Sequence, residues 1–172
     1  IFIAVGTPTR RGDGHADLSY VHAAARDIAA VAPDGCVVVT KSTVPVGTGD
    51  RVEALMREKR PDLDLPVVSN PEFLREGCAI GDFLKPDRIV VGADEPRARE
   101  VMEAVYQPLT RQGAPLLLTE RRTSELIKYA SNAFLAVKIS YINEIADLCE
   151  NIGADALCVA EGMGLDARIG AR

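Results

Sequence analysis

The stretch CVVVTKSTVPVGTGDRVEALMREKR, residues 36–60, decides the fold. Its opening run, Val37, Val38 and Val39, is β-branched and lacks polar alternation, as a strand buried on both faces requires. Pro45 has no N–H to give a sheet, so the strand must end before it. Beyond Val46 the period changes, and Val52, Leu55 and Met56 fall on one helical stripe. A buried strand that passes through a short rim loop into a helix is half of a βαβ unit.

The same alternation continues on both sides. IFIAV (1–5) is a buried-type strand closed by Gly6-Thr7-Pro8. ADLSYVHAAARDIAAVA (16–32) places Leu18, Val21, Ala25, Ile28 and Ala29 on one stripe, with Asp17 or Ser19 able to cap its start. Pro33-Asp34-Gly35 is a turn. LPVVSN (65–70), RIVVG (88–92) and APLLLT (114–119) are further strands, and EPRAREVMEAVYQPL (95–109) is a third helix. Strands alternating with helices over short loops predict an α/β fold, a doubly wound and mostly parallel sheet over residues 1–120.

At Thr123-Ser124 the pattern changes. From Ser124 to Ile152 there is neither proline nor glycine. Leu126, Ile127, Ala130, Phe134, Val137, Ile142, Ile145 and Leu148 recur at helical spacing, and further apolar residues spread beyond one stripe. That predicts one long helix packed on several sides, as a dimer seam or an interdomain spine. ADALCVAEGM (154–163) adds a short helix expected to stop at Gly162 or Gly164. Residues 121–172 thus read as an all-α second domain. Ile1 has no methionine before it and RIGAR has no terminal cap, so both ends read as cut from a longer chain.

Bulk properties narrow the partners. The chain has 172 residues, 47% apolar, with net charge −5. That length buries a real core. The acidity and the lack of a Lys/Arg block argue against nucleic acid. No run reaches the ~18 apolar residues of a membrane helix. Cys36, Cys78, Cys149 and Cys158 are scattered, as reduced cytoplasmic thiols are, and form no disulfide or zinc framework.

Four short segments carry chemistry. VGTPT (5–9) follows a strand, and is either an ordinary turn or a loop whose Gly6 admits a ligand to the backbone. KSTVPVGTG (41–49) puts Ser42 and Thr43 at a strand's carboxyl end, as a helix-capping loop or as part of a site. NPEFLREG (70–77) sets Glu72 and Glu76 around Phe73-Leu74 at the next such end. The rim of an open parallel sheet is where ligands bind, whereas acidic residues also suit a solvated helix start. Lys128 and Asn132 share one face of the long helix. Lys128 is either a snorkelling side chain or a cation for a developing alkoxide. No G-x-G-x-x-G occurs, so the phosphate turn of a dinucleotide site must lie upstream, or the chain binds no dinucleotide.

Taken together, VGTPT, ADLSYV, KSTVPVGTG, SNPEFLREGCAIGDFLKPDRIVVG, SELIKYASNAFLAVKISYINEIADLCE, GAD and GLDARIG resemble, in order, the nucleotide-sugar 6-dehydrogenases of the UDP-glucose/GDP-mannose dehydrogenase family. The KPDRIVVG segment is most similar to the UDP-glucose branch. GDP-mannose and UDP-acetylamino-sugar dehydrogenases share part of the pattern. The resemblance implies the second half of a Rossmann-like NAD-binding domain over 1–120, then the central helical domain, truncated, over 121–172. It implies NAD as cofactor, UDP-glucose or a related nucleotide sugar as substrate, and a cytoplasmic homodimer through the long helix.

The family oxidises the sugar's C6 alcohol to a carboxylate in two NAD-dependent steps. On that resemblance Val5, Gly6, Thr7, Pro8 and Thr9 line the NAD site. Ser42 and Thr43 lie near the nicotinamide, and Thr43 helps hold a water. Glu72 is the general acid/base of the hydrolytic step. Phe73, Leu74 and Arg75 meet the sugar nucleotide, and Glu76 sits beside nicotinamide and substrate. Lys128 and Asn132 steady charge on the C6 oxygen, and Arg168 reaches a neighbouring subunit's ligand. The family's nucleophilic cysteine has a Gly-Gly-Ser-Cys-Phe context that none of the four cysteines shares. An inactive folding or dimerisation module is the competing expectation for this segment by itself.

Overall fold

A computed structural model of the chain describes residues 1–170. Five strands form one sheet in chain order: β1 (Phe2–Ile3), β2 (Val38–Thr40), β3 (Val67–Ser69), β4 (Ile89–Gly92) and β5 (Leu116–Thr119). The helices are α1 (Ser19–Val31), α2 (Thr48–Lys59), α3 (Ala79–Leu84), α4 (Pro96–Thr110), α5 (Arg121–Ile152) and α6 (Ala156–Gly164). The chain forms two compact units, one over Ile1–Tyr129 and the other from Ala130 onward.

The sheet is parallel except at one seam. β1, β2 and β3 run parallel, with Val38 opposite Val67 and Thr40 opposite Ser69. β3 and β4 are antiparallel and meet only at Ser69 and Gly92. β4 and β5 are parallel again. A parallel return needs a full crossover helix. The segment between β3 and β4 holds only the six residues of α3, none of them buried. Its apolar residues make no stripe, which is why the sequence predicts no helix there.

The reversal at β4 also decides which face each helix covers. Right-handed crossovers from β1 through β3 put α1 and α2 on one face, and the same rule with reversed strands puts α4 on the other. Two cores result. Ile3, Val38 and Val67 pack with Val21, Ala25, Val52 and Met56, while Val39, Val68 and Val91 pack with Ala98, Met102 and Tyr106. Adjacent valines of one strand serve opposite cores, so the runs need no polar alternation. Each fully buried valine or methionine contributes about 1.5–3 kcal/mol of transfer free energy.

Some predicted boundaries move. α5 begins at Arg121, ahead of Thr123-Ser124. Asp17, not Ser19, supplies the side-chain bond at the α1 start, its Oδ1 accepting the Ser19 N–H at 2.9 Å. α6 stops at Gly164, one of the two expected positions, and Leu165 caps it in right-handed conformation. Neither Gly162 nor Gly164 is therefore a left-handed cap. In the second unit Phe134, Val137, Ile139, Tyr141 and Leu148 of α5 are exposed within this chain, and Cys149 is buried. A single nine-residue α6 cannot cover more than part of such a helix.

Candidate active site

Parallel pairing in register brings the loops after β2 and β3 to the same edge of the sheet. Thr43 on the first loop donates its hydroxyl to Glu72 Oε1 on the second, at 3.2 Å. Glu72 Oε2 accepts the Leu74 N–H at 2.7 Å. The α5 helix delivers Lys128, buried, with its Nζ 2.9 Å from Glu72 Oε1. Burial by itself would raise the Glu72 carboxyl. The Leu74 N–H, the Lys128 ammonium and the Thr43 hydroxyl outweigh it and hold the group below the ordinary carboxylate range. Glu72 is thus ionised at neutral pH, pinned at both oxygens.

Phe73 turns its ring toward cations. The Arg88 guanidinium lies 3.9 Å from the ring centroid and Lys128 Nζ 5.4 Å from it. Asn70 anchors the turn from behind, donating its side-chain amide to Val90 O at 2.7 Å and accepting the Tyr106 hydroxyl. Lys41, which sequence reading passed over, directs its ammonium to Asn70 O at 3.2 Å and Pro71 O at 3.3 Å. Burial pulls this ammonium down to about 8; Glu72 opposes the fall and Lys128 adds to it.

Glu125 is a second residue that sequence reading missed. It is buried one turn before Lys128 and accepts the N–H groups of Gly47 and Gly49 at 2.6 and 2.7 Å and the Ser69 hydroxyl at 3.2 Å. Gly47 has φ +92°, a conformation that suits glycine, and its loop leaves the first N–H groups of α2 to be capped by a carboxylate from another helix. The only sequence signal was a glutamate inside the apolar SELIK segment.

The loop over residues 5–8 is stitched to the Thr43 loop. Ser42 Oγ donates to Val5 O at 2.7 Å and accepts the Val5 N–H at 3.0 Å, and Thr7 donates its hydroxyl to Thr43 O at 2.9 Å. Val5, Gly6, Thr7 and Pro8, with Tyr20 of α1, line an open cleft of about 560 Å³. Thr9 instead pairs with Ala16 in a small bridge beside it.

The first unit therefore brings Thr43, Glu72, Phe73, Leu74 and Lys128 together, with Val5–Pro8 and Ser42 adjoining through Thr43. Arg75 is drawn to Asp82, 2.6 Å away, and Glu76 lies exposed on the same loop. Asn132 and Arg168 belong to the second unit. There Asn132 is exposed on α5, and Arg168 is paired with Asp166 at 2.6 Å.

Both domains of the chain match a known family. Residues 1–110 match the NAD-binding domain, and residues 122–172 the central domain, of the UDP-glucose/GDP-mannose dehydrogenase family. The chain is 68% identical, over its whole length, to a UDP-glucose 6-dehydrogenase of Rhizobium meliloti, and 49% identical over 99% of its length to one of Pseudomonas aeruginosa. It spans about 40% of the first of these relatives and 38% of the second. The solved UDP-glucose dehydrogenase of Pyrobaculum islandicum superposes with TM-score 0.92 at 49% identity, over 99% of this chain and 40% of that one. A GDP-mannose dehydrogenase of Pseudomonas aeruginosa gives 0.89 at 32% identity, over 96% and 38%. Matched across both domains, and over well more than half its length by the first, the chain belongs to the UDP-glucose/GDP-mannose dehydrogenase family.

Proposed function

We propose that the chain supplies part of the active centre of an NAD-dependent UDP-glucose 6-dehydrogenase, which oxidises the C6 alcohol of UDP-glucose to the carboxylate of UDP-glucuronate. The observation that carries this reading is the ionised Glu72 held between Thr43 and the buried Lys128. The 68% identity to a UDP-glucose 6-dehydrogenase favours this sugar over GDP-mannose.

In this reading Lys128 offers a desolvated cation to negative charge growing on the C6 oxygen, and Asn132 a second donor. Glu72 and Thr43 hold the water of the hydrolytic step, with Glu72 taking its proton. Phe73, Leu74 and Arg75 form a ledge for the sugar nucleotide, and Glu76 lies at its edge. Arg168 serves the ligand of a neighbouring subunit.

The residues present fit NAD. Apart from Gly6 and its chain neighbours, no atom lies within 4 Å of where a Gly6 Cβ would stand, so that backbone is open to a ligand, and the cleft beside it is lined by Val5, Thr7 and Pro8. When bound, the nicotinamide accepts the hydride. Val5–Thr9 line the NAD site, Ser42 and Thr43 lie near the nicotinamide, and Thr43 joins that loop to Glu72.

The protein pairs with a second copy through the exposed apolar face of α5, in the cytoplasm, where free thiols such as Cys78 and Cys158 stay reduced.

The test is steady-state turnover of the full-length protein with NAD and UDP-glucose. Lys128→Ala should lower kcat by about 10²–10³-fold while KM changes little, the pattern of a contact made in the transition state. An unchanged kcat would remove Lys128 from the reaction. A higher kcat/KM with GDP-mannose than with UDP-glucose would move the substrate assignment.

A further inference from the structure

Lys41 has no part in the reaction just described, yet its ammonium reaches the turn that carries Glu72. We propose that Lys41 is a positioning residue, its ammonium holding the Asn70 and Pro71 carbonyls and thereby setting where the Glu72 carboxylate lies between Thr43 and Lys128. The inference rests on the catalytic reading of Glu72.

The geometry is specific. Opposite Lys41, the Asn70 N–H continues the β2–β3 ladder by donating to Thr40 O at 2.9 Å. The Asn70 side chain is fixed by Val90 O and the Tyr106 hydroxyl. Both Asn70 and Pro71 are buried. Their carbonyls converge on one donor, Lys41 Nζ, at 3.2 and 3.3 Å. The Pro71 carbonyl lies in the same planar peptide unit as the Glu72 nitrogen and Cα. Holding that oxygen therefore fixes the plane from which the Glu72 side chain departs. Without the ammonium, two buried carbonyls would lose their donor, and the turn would rotate to seek another.

Charge acts in the same direction. The charged groups facing Lys41 are Glu72, on the turn that Lys41 holds, and Lys128 from α5. Glu125 on α5 is occupied by Gly47, Gly49 and Ser69. Glu72 thus has one ammonium at its carboxylate and a second beneath its backbone. Burial brings Lys41 to about 8, so its charge is lost at mildly alkaline pH. A neutral amine donates weakly and no longer offsets Glu72.

The experiment compares full-length wild type, Lys41→Met and Lys41→Arg across pH. Lys41→Met should lower kcat by about tenfold or more with KM for the nucleotide sugar nearly unchanged, as expected when a catalytic group is misplaced. Lys41→Arg should keep most of the rate and shift the alkaline fall of kcat to higher pH, because guanidinium stays charged. Equal losses in both variants with an unmoved alkaline limb would overturn the proposal in favour of packing, as would a Lys41→Met enzyme with wild-type kcat.

Competitive labelling of amines in the folded full-length protein, read peptide by peptide, gives a readout independent of turnover. Lys41 should titrate near 8 and lower still in Glu72→Gln. A Lys41 that titrates with exposed lysines and ignores Glu72→Gln would overturn the inference even if Lys41→Met fails to fold. Absence of wild-type turnover with UDP-glucose and NAD, beside a normal Lys41 shift, would instead fault the functional reading.

Discussion

At the residue scale Glu72 shows how one carboxylate is prepared. A half-buried carboxyl is usually pushed upward, but here three donors reverse that. The sign for stability follows. With a folded-state value below the unfolded one, Glu72 contributes stability that is full above the unfolded carboxyl range and is lost as pH falls through the folded value. Lys41 behaves differently: at about 8 it lies below the lysine value of 10.5, so stability from this group rises with pH between those two values. Glu72→Gln, which removes the charge but keeps the shape, should flatten the acid-side loss in thermal unfolding. In the full-length protein it should also slow carboxylate release more than the first oxidation. Unchanged product release in single-turnover experiments would remove Glu72 from the hydrolytic step.

At the element scale the start of α5 is tightly constrained. A Cβ on Gly92 would stand 2.5 Å from Ser124 Cβ and 2.8 Å from both Arg121 Cα and Glu120 O. Backbone cannot yield as a flexible side chain can, so α5 lies against the end of β4 only because residue 92 is glycine. Arg121 adds ion pairs to Asp50, Glu53 and Asp94, at 3.1, 2.5 and 2.7 Å, and Glu125 caps α2. Lys128 follows on the same helix, so these contacts also set the depth of its ammonium. Gly92→Ala should cost about 1–3 kcal/mol in denaturant unfolding, in the range of overpacked sites. Wild-type stability in that variant would mean that α5 slides freely over β4.

Across the whole molecule the long helix divides its apolar residues between two settings. Ile127 is partly buried and Cys149 buried, whereas Leu126, Tyr129, Phe134, Leu135, Val137, Ile139 and Tyr141 are exposed. Exposed apolar side chains at this density are what the proposed seam would cover. If α5 is the seam proposed above, light scattering should give a dimer mass for the full-length protein, and Val137→Glu with Tyr141→Glu should shift it to monomer. A monomeric wild type would leave that face for another partner.

Much of this was determined by the sequence alone. The valine runs at 37–39 and 67–68 specify buried strands, the proline and glycine punctuation ends them at the right rim, and the uninterrupted segment after Ser124 specifies one long helix. These features are legible because periodicity and backbone chemistry act over a few residues. Thr43, Glu72 and Lys128 could be named from motifs, but their contact depends on parallel register between β2 and β3 and on how far α5 slides over Gly92. The tertiary structure alone decided the antiparallel seam at β4, the burial of Glu125 against the α2 start, and the convergence of two carbonyls on Lys41. Each joins groups 20 to 80 positions apart, where local propensity carries no information and only the packed sheet fixes the distance.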